Sequence, residues 1–588
     1  MGRKLKKGAA ASESNTGNGR AQPRMATELD DGPIIRSINA RPRMAAKRTF
    51  RYHTIRHSMR GKEPRKRAPF RLPCPSAGIV REGRRTAGKE PLPKQRSGSG
   101  PRGAYGREGA SRFPPGIPTR HTSQPQRDAT VHDRRKHMRT LLANATVITM
   151  NPARDVLDTD ILIENGVIAD MGPGLAGRPE NADAERVDLS GCIVIPGLIQ
   201  SHMHVTQSLF RGLADEMELM DWLQRRIWPL EGAHTPETNA AAARLAAAEG
   251  LRSGVTAFID MGTAHCQDAI FEAMRDVGMR GLFGKCMLDM GGTDVPAALM
   301  EDTETCLRES ERLMNRWHMS AGGRLRYAFA PRFVPSCTEK LLTRTRDMAR
   351  ANGVRLHTHA SENKGECAYV ESLVHMRNLR YLHSIGYTGE DVILAHCIWI
   401  DDDEIRILAD TGTHAVHCPS SNMKLASGIA RIDEMLAAGC RVAIGLDGAH
   451  NHMDALVELR QAGILQKVRT NRPTALSPLQ ALEMATLGGA RAMGQEDELG
   501  SLEPGKKADL AVINPDRLNM APRIGRDPVA QVVYQATHEN VEATMVDGVF
   551  LYRDGKYASL DLKECLRDAE NACARILRSP DVAPLFAH

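Results

Sequence analysis

The chain has 588 residues, of which 41% are hydrophobic, so it is long enough for two or three domains with a sizeable core. Residues 1–137 contain 33 Lys and Arg against 10 Asp and Glu, a net charge of +23, whereas the remainder has a net charge of −15. This asymmetry excludes a chain that binds nucleic acid along its whole length, and no apolar run reaches the roughly 18 residues of a membrane span.

The N-terminal segment, 1–137, is rich in Arg, Pro, Gly and Ser and has little periodicity. Such a composition cannot bury enough apolar surface to offset its ordering entropy, so the segment is predicted to be a disordered basic extension. Three interpretations stay open. The segment is upstream sequence before a working start at Met138, a basic arm that binds nucleic acid or another acidic surface, or an Arg-rich transit peptide.

Strand patterns occupy both ends of the remaining chain, in the ranges 138–195 and 496–560. The pair Asn165-Gly166 lies between two of these strands and predicts a two-residue hairpin turn. We therefore expect the two ends to form one small β-sandwich. The predicted strands are Thr140–Met150, Asp160–Asn165, Gly166–Met171, Cys192–Ile195, Asp509–Ile513 and Ala543–Val546.

Between these ends, over 196–495, apolar strands alternate with helices rich in Ala, Leu and Glu. Repeated strand-then-helix units over roughly 300 residues predict an α/β fold with parallel strands, and a (β/α)₈ TIM-type barrel fits that length. The last segment, 561–588, is predicted to be a C-terminal helix or tail. The clearest units are helix Ala240–Arg252, strand Val255–Asp260, helix Ala269–Val277 and strand Gly281–Leu288.

Histidines or acidic residues follow four of the apolar strands. His202 and His204 alternate at the end of one strand, and His357 and His359 alternate at the end of another. Side chains at i and i+2 of a strand point the same way, so each pair could share an ion. Glu362 lies three residues beyond His359, where a carboxylate beside a metal-bound water could move protons.

Two more strands, 392–396 and 441–447, end in His396 and Asp447. Taken alone, each residue is more often a core histidine or a helix-capping aspartate. In a barrel of parallel strands, however, all these ends meet on one face, where active sites lie. Imidazole and carboxylate ligands with one open position suit a catalytic Zn²⁺ or Fe²⁺ ion.

From about Met138 to about Tyr557, the chain resembles the amidohydrolase superfamily in its cytosine/adenosine/guanine deaminase-like branch. Within this branch the closest likeness is to deaminases of 5′-deoxyadenosine, methylthioadenosine and S-adenosylhomocysteine. The motifs that carry the resemblance are VIPGLIQSHMH, RGLADEMELMDWLQRRIWPLE, HTHASEN, LAHC, HCPSSNMKLASG, the DG after GL at 445–448, and LGSLEPGKKADL.

The resemblance implies one divalent metal ion on His202, His204, His359 and Asp447, with Zn²⁺ favoured and Fe²⁺ as the alternative. It makes Glu362 a proton shuttle that also contacts the substrate. It makes His396 a catalytic residue that orients water or substrate, and Asp447 a base as well as a ligand. The strand ending near Pro331 has no Lys or Glu that could bridge two ions, which favours a single ion.

Three further residues are implied to bind substrate. Glu231 matches the position that contacts ribose hydroxyls in the nucleoside deaminases, and His265 follows a strand and could line the pocket. Arg332 stands after Pro331, where many methylthioadenosine/S-adenosylhomocysteine deaminases have a histidine. The Pro-Arg-Phe segment is more similar to guanine deaminases, in which the Arg contacts the purine.

The favoured function is therefore deamination of an adenine-type nucleoside to its inosine analogue and ammonia. Guanine deamination and displacement of chloride or an amine from an s-triazine remain alternatives, because relatives use nearly the same ligands. A non-catalytic scaffold is disfavoured, since all four ligands and Glu362 are present. The twelve scattered cysteines lack a CxxC motif, which indicates reduced thiols and a cytoplasmic enzyme. Relatives also imply a homo-oligomer.

Overall fold

The computed structural model describes residues 138–291, 295–448 and 452–587. The predicted disorder of 1–137 concerns residues outside these ranges. The described chain opens with strands that include a hairpin, in which Asn165 and Gly166 have φ angles of 53° and 83°. Two successive positive φ angles form the tight hairpin turn that the sequence predicts. The strands are β1 (Arg139–Ile148), β2 (Val156–Glu164), β3 (Val167–Gly172), β4 (Glu185–Asp188) and β5 (Ile193–Pro196).

Eight parallel strands follow and form the predicted barrel. They pair in chain order from β6 to β13, and a parallel bridge between Met203 and Asp447 joins the last strand to the first. The barrel strands are β6 (Leu198–Met203), β7 (Val255–Asp260), β8 (Arg280–Met287), β9 (Leu325–Pro331), β10 (Arg355–Ala360), β11 (Val392–His396), β12 (His414–His417) and β13 (Arg441–Ile444).

The closure of the barrel depends on close backbone contact. The Asp447 amide donates to the carbonyl oxygen of His202 at 2.9 Å. A Cβ atom on Gly445 would lie 2.8 Å from that same oxygen, so glycine is required where the two strands meet. This junction places Asp447 beside the histidines of β6.

Four strands after the barrel return to the N-terminal ones. The sheet has nine strands of mixed direction in the order β17-β16-β15-β14-β5-β1-β2-β3, with β4 paired to β1. The predicted β unit built from both ends is thus confirmed, and its form is one mixed nine-stranded sheet. The added strands are β14 (Leu510–Ile513), β15 (Val541–Val546), β16 (Val549–Arg553) and β17 (Lys556–Tyr557).

Helices cover the outside of the barrel, and their ends follow ordinary capping chemistry. Thr235 caps the longest of them in a capping box, with Pro236 at its first position. None of the helices in the described ranges is both long enough and apolar enough to cross a bilayer. The helices are α1 (Leu219–Trp222), α2 (Trp228–Gly232), α3 (Pro236–Arg252), α4 (Gln267–Val277), α5 (Thr303–Trp317), α6 (Ser320–Gly323), α7 (Glu339–Asn352), α8 (Lys364–Val374), α9 (Asn378–Ser384), α10 (Asp402–Thr411), α11 (Pro419–Lys424), α12 (Ile432–Ala437), α13 (Ala455–Thr470), α14 (Pro478–Glu483), α15 (Gly489–Met493), α16 (Pro528–Tyr534) and α17 (Leu562–Leu577).

Candidate metal centre and active site

The predicted site residues lie at the carboxyl ends of the barrel strands. His202 lies on β6 and His204 follows it, His359 lies on β10, His396 ends β11, and Asp447 follows β13. None of the five is more than 8% exposed. Parallel strands bring these ends to one face of the barrel, which is why residues up to 245 positions apart in sequence meet here.

Four of them converge on one point. His202 Nε2 lies 3.2 Å from Asp447 Oδ1, and His204 Nε2 lies 3.5 Å from the same oxygen. The Nε2 atoms of His204 and His359 are 3.2 Å apart. One ligand atom from each of the four residues lies within 4.8 Å of every other. Three imidazole nitrogens and a carboxylate oxygen form a donor set that suits a divalent transition metal.

The hydrogen bonding of His359 supports this fit. Its Nδ1 donates to the carbonyl oxygen of Arg332 at 2.8 Å, so in the neutral ring Nε2 carries a lone pair. That lone pair faces His204 Nε2 and the carboxylate of Asp447 across the cluster. A cation between these atoms relieves the repulsion between electron-rich groups.

Protonation of the cluster also matches a metal site. Burial, together with the neighbouring imidazoles, holds the pKa values of His204 and His359 well below the ordinary value, so both rings are neutral. Burial alone would raise the pKa of Asp447, but the hydrogen bond with His202 and the nearby imidazoles hold it well below its usual range. Neutral imidazole and ionised carboxylate are the forms that bind metals.

Glu362 and His396 lie beside the cluster. His396 Nε2 is 3.6 Å from Glu362 Oε2 and 3.8 Å from Asp447 Oδ2. Burial raises the pKa of Glu362 to about 7. Burial lowers the pKa of His396, but the neighbouring carboxylates of Glu362 and Asp447 raise it by more. The pKa of His396 is therefore above its ordinary value. A carboxyl group that titrates near neutrality can both accept and donate a proton.

A short loop and helix after β12 hold these groups in place. Asn422 Oδ1 accepts a hydrogen bond from His396 Nδ1 at 2.9 Å, which turns His396 Nε2 towards the carboxylates. Ser421 Oγ donates to Asp447 Oδ2. Farther back, Glu458 accepts a hydrogen bond from the Ser420 amide at 2.9 Å. The HCPSSN segment therefore orients the side chains of His396 and Asp447.

The backbone at the site is strained. His396 and Asp447 have φ angles of 74° and 63°, in the left-handed region that such residues rarely adopt. Each such conformation costs on the order of 1–3 kcal/mol and persists where the surroundings impose it. Strain of this kind concentrates at functional sites.

Two of the predicted substrate contacts bind each other. Arg332 Nη1 donates to Glu231 Oε2 at 2.7 Å, and Nη2 donates to Oε1 at 3.4 Å. Gln207 Nε2 also donates to Glu231 Oε1 at 2.7 Å. Glu231 and Arg332 are both buried, so each charge neutralises the other away from water. The sequence offered no sign of this pair, because its members are 101 residues apart.

The third predicted contact, His265, lies elsewhere. Its side chain is 45% exposed, and its Nδ1 lies 3.3 Å from Glu301 Oε1. Glu301 also pairs with the buried Lys285 at 2.8 Å. His265 is not among the residues that line the cavity at the metal cluster in this structure.

That cavity is small. Three members of the metal cluster, together with Glu362, His396 and Arg332, form one part of its wall, and apolar side chains form the rest; the three are His204, His359 and Asp447. Its volume of about 20 Å³ holds one water molecule and no more. A heterocyclic substrate therefore enters only if part of the wall moves. The apolar lining residues, which the sequence did not single out, are Leu219, Trp222, Leu223 and Phe333.

Comparison with known proteins decides the family. A sequence profile described as the amidohydrolase family matches residues 193–551 of the chain. The chain belongs to the amidohydrolase family. This amidohydrolase is 34% identical over 440 residues to a 5′-deoxyadenosine deaminase of Methanosarcina mazei, a match that covers 74% of this chain and 98% of that protein.

Two further relatives are deaminases that match the chain over a similar length. A 5-methylthioadenosine/S-adenosylhomocysteine deaminase of Symbiobacterium thermophilum is 36% identical over 445 residues, covering 75% of this amidohydrolase and 99% of the relative. An adenosine deaminase from Xanthomonas campestris, solved with bound zinc, superposes with a TM-score of 0.70 at 31% identity. That match covers 76% of this chain and 100% of the solved one.

Proposed function

We propose that this amidohydrolase is a metal-dependent aminohydrolase that deaminates an adenine-type nucleoside. The substrate class comprises adenosine, 5′-deoxyadenosine, methylthioadenosine and S-adenosylhomocysteine, and the products are the inosine analogue and ammonia. The observation that carries the proposal is a buried cluster of three histidines and one aspartate, of which His204, His359 and Asp447 line a cavity together with Glu362 and His396. The names of the relatives supply the substrate class.

One divalent ion, Zn²⁺ in our proposal, would be held by His202, His204, His359 and Asp447. The solved Xanthomonas campestris relative contains zinc, although the same donor set would accept Fe²⁺. When bound, the ion lowers the pKa of a water molecule towards neutrality.

The protein groups then divide the proton transfers between them. Asp447 accepts a proton from the water as it attacks the ring carbon that bears the amino group. Glu362, whose pKa of about 7 lets it carry a proton, protonates the adjacent ring nitrogen. Asp447 then passes its proton to the amino group, which leaves as ammonia, while Glu362 takes the proton of the new hydroxyl group. His396 stays oriented by Asn422 and stabilises the charge that develops at the tetrahedral carbon.

We further propose that Arg332 and Glu231 contact the nucleoside as a pair. Arg332 lines the cavity and holds the carboxylate of Glu231, so a substrate hydroxyl or ring nitrogen would meet an already neutralised pair. His265 remains a proposed contact for a larger substituent. Because α1 carries two of the apolar wall residues, we infer that substrate entry displaces this helix.

The cysteines support a proposal for the cellular compartment in which the protein works. All eleven cysteines within the described ranges are unpaired, and several are buried. Free thiols in this number support a reducing compartment, and we propose the cytoplasm.

The test is release of ammonia by the purified, zinc-loaded protein. The four adenine-type nucleosides are compared with guanine and with a chloro-s-triazine, for which chloride is measured instead. We expect ammonia from at least one adenine-type nucleoside and a far lower kcat/KM for guanine. If only guanine or only the triazine is turned over, the proposed substrate class is wrong and that compound's class takes its place. If none of the compounds is turned over, the proposal that the protein is this enzyme is refuted.

A further inference from the structure

One histidine in the barrel contacts a proposed metal ligand and has no part in the mechanism above. His357 Nε2 lies 2.9 Å from His202 Nδ1, and both rings are fully buried. The ring planes are nearly perpendicular, at 88°, which suits an in-plane hydrogen bond from one ring to the edge of the other. His357 lies two residues before His359 on β10, so both side chains point into the barrel.

The direction of this hydrogen bond depends on which nitrogen of His202 carries the proton. His202 Nε2 faces Asp447 Oδ1 at 3.2 Å, on the side where the ligand atoms converge. If Nε2 is to bind an ion through its lone pair, the proton of the neutral ring must lie on Nδ1. That N–H then donates to His357 Nε2, and the proton of His357 lies on its Nδ1.

Without an ion, the opposite arrangement is also open to the pair. His357 Nε2 can then donate to His202 Nδ1, and the His202 proton lies on Nε2, which is 3.2 Å from Asp447 Oδ1. The two rings therefore form a pair with two proton arrangements, of which only one leaves a lone pair for the ion.

The other two histidines of the metal cluster differ from His202 in the hydrogen bonding of Nδ1. His359 donates to the carbonyl oxygen of Arg332, a group that can only accept, so its metal-binding tautomer is fixed permanently. His204 Nδ1 has no hydrogen-bond partner among the described residues. His202 is thus the ligand whose tautomer is set by another side chain.

We propose that His357 is a positioning residue, which fixes the ring orientation of His202 and accepts the hydrogen bond from its Nδ1–H when the ion binds. The proposal rests on the proposed metal centre. It does not depend on which heterocycle is deaminated. Partners of this kind usually raise the affinity of a metal site about 10- to 100-fold.

The test measures zinc affinity by competition with a chromogenic chelator, together with zinc content per chain. His357→Gln retains an acceptor oxygen, whereas His357→Leu and His357→Met fill the space without a comparable acceptor. His414→Leu is the matched control, since His414 is a fully buried barrel histidine that is not among the clustered ligands.

We expect about 10- to 100-fold weaker zinc binding in the Leu and Met variants. His357→Gln should recover most of the affinity, and His414→Leu should match the wild type. If the Leu variant does not fold, the Met and Gln variants carry the same comparison. Wild-type affinity in a folded Leu or Met variant would overturn the proposal, and so would equal losses in the Gln and Met variants. Neither result bears on whether nucleosides are deaminated.

Discussion

At the scale of single residues, burial gives Glu362 its chemistry. The residue is 5% exposed, its carboxyl group faces His396, and removal from water raises its pKa to about 7. Glu362→Gln keeps the shape of the side chain and removes the exchangeable proton. We expect kcat to fall by about 10²- to 10⁴-fold while zinc content stays unchanged. A variant that retains kcat within twofold would contradict the role of Glu362.

A second buried carboxyl, Glu458, makes stability depend on pH. Burial raises its pKa from the ordinary 4.5 to about 8. Between these two values the unfolded chain has ionised this group while the folded protein still binds the proton, so the contribution of Glu458 to stability falls as pH rises from about 4.5 to about 8.

Glu458→Gln should therefore reduce the loss of thermal stability between pH 5 and pH 8. The amide oxygen can still accept the hydrogen bond from the Ser420 amide, so the loop is kept. The measurement is the unfolding temperature of wild type and variant across this range. Parallel curves would show that Glu458 does not titrate as described.

Site residues differ in how visible they are in the sequence. The metal cluster was predictable because each member ends a strand of recognisable pattern, and parallel strands bring their ends together. Two side-chain pairs were not predictable, because they depend on the directions of side chains from distant strands and loops. These pairs are Glu231 with Arg332 and His202 with His357. The alternation of His357 with His359 was the only hint.

At the scale of elements, the spacing of apolar residues predicted the positions of strands and helices well. It did not predict which of these elements pack against each other. Val255–Asp260 was predicted to the residue, because an apolar run between a helix and a polar loop has clear ends. The role of α1 was not visible, because its buried Leu219 and Trp222 have the pattern of any amphipathic turn. Only the fold shows that they close the cavity.

The C-terminal helix α17 shows how an element after the β unit still supports the barrel. Its buried Ala569, Ala572 and Ile576 belong to the same apolar cluster as Trp222 and Leu223 of the cavity wall. Ile576→Ala should lower the free energy of unfolding by about 2–5 kcal/mol, because it leaves a cavity in this cluster.

The matched control for that prediction is Leu566→Ala. Leu566 lies on the same helix and is 50% exposed. Its removal should change the free energy of unfolding by no more than about 0.5 kcal/mol. Equal effects of the two substitutions in chemical denaturation would show that α17 does not pack as described.

At the scale of the whole molecule, the two ends of the described chain share one sheet, and a buried ion pair joins it to the barrel. Arg280 on β8 donates to both carboxylate oxygens of Asp509 at 2.7 and 3.1 Å. Sequence patterns predicted that both ends contribute strands, but not their order in the sheet, since order depends on pairing between distant segments.

The relatives are matched over nearly their whole length by about three quarters of this chain. A protein that starts at Met138 contains every strand and helix described here. We expect it to have the unfolding temperature and the kcat/KM of the full chain. A loss of either would show that residues 1–137 belong to the working enzyme.

The central claim is that one ion on the cluster of His202, His204, His359 and Asp447 supports nucleoside deamination. It is tested most directly by titrating metal-stripped protein with Zn²⁺ while ammonia release from 5′-deoxyadenosine or the best of the other adenine-type nucleosides is measured. We expect no release without metal and a rate that saturates at one bound ion per chain. Undiminished release from the metal-free protein, or a requirement for two ions per chain, would contradict it.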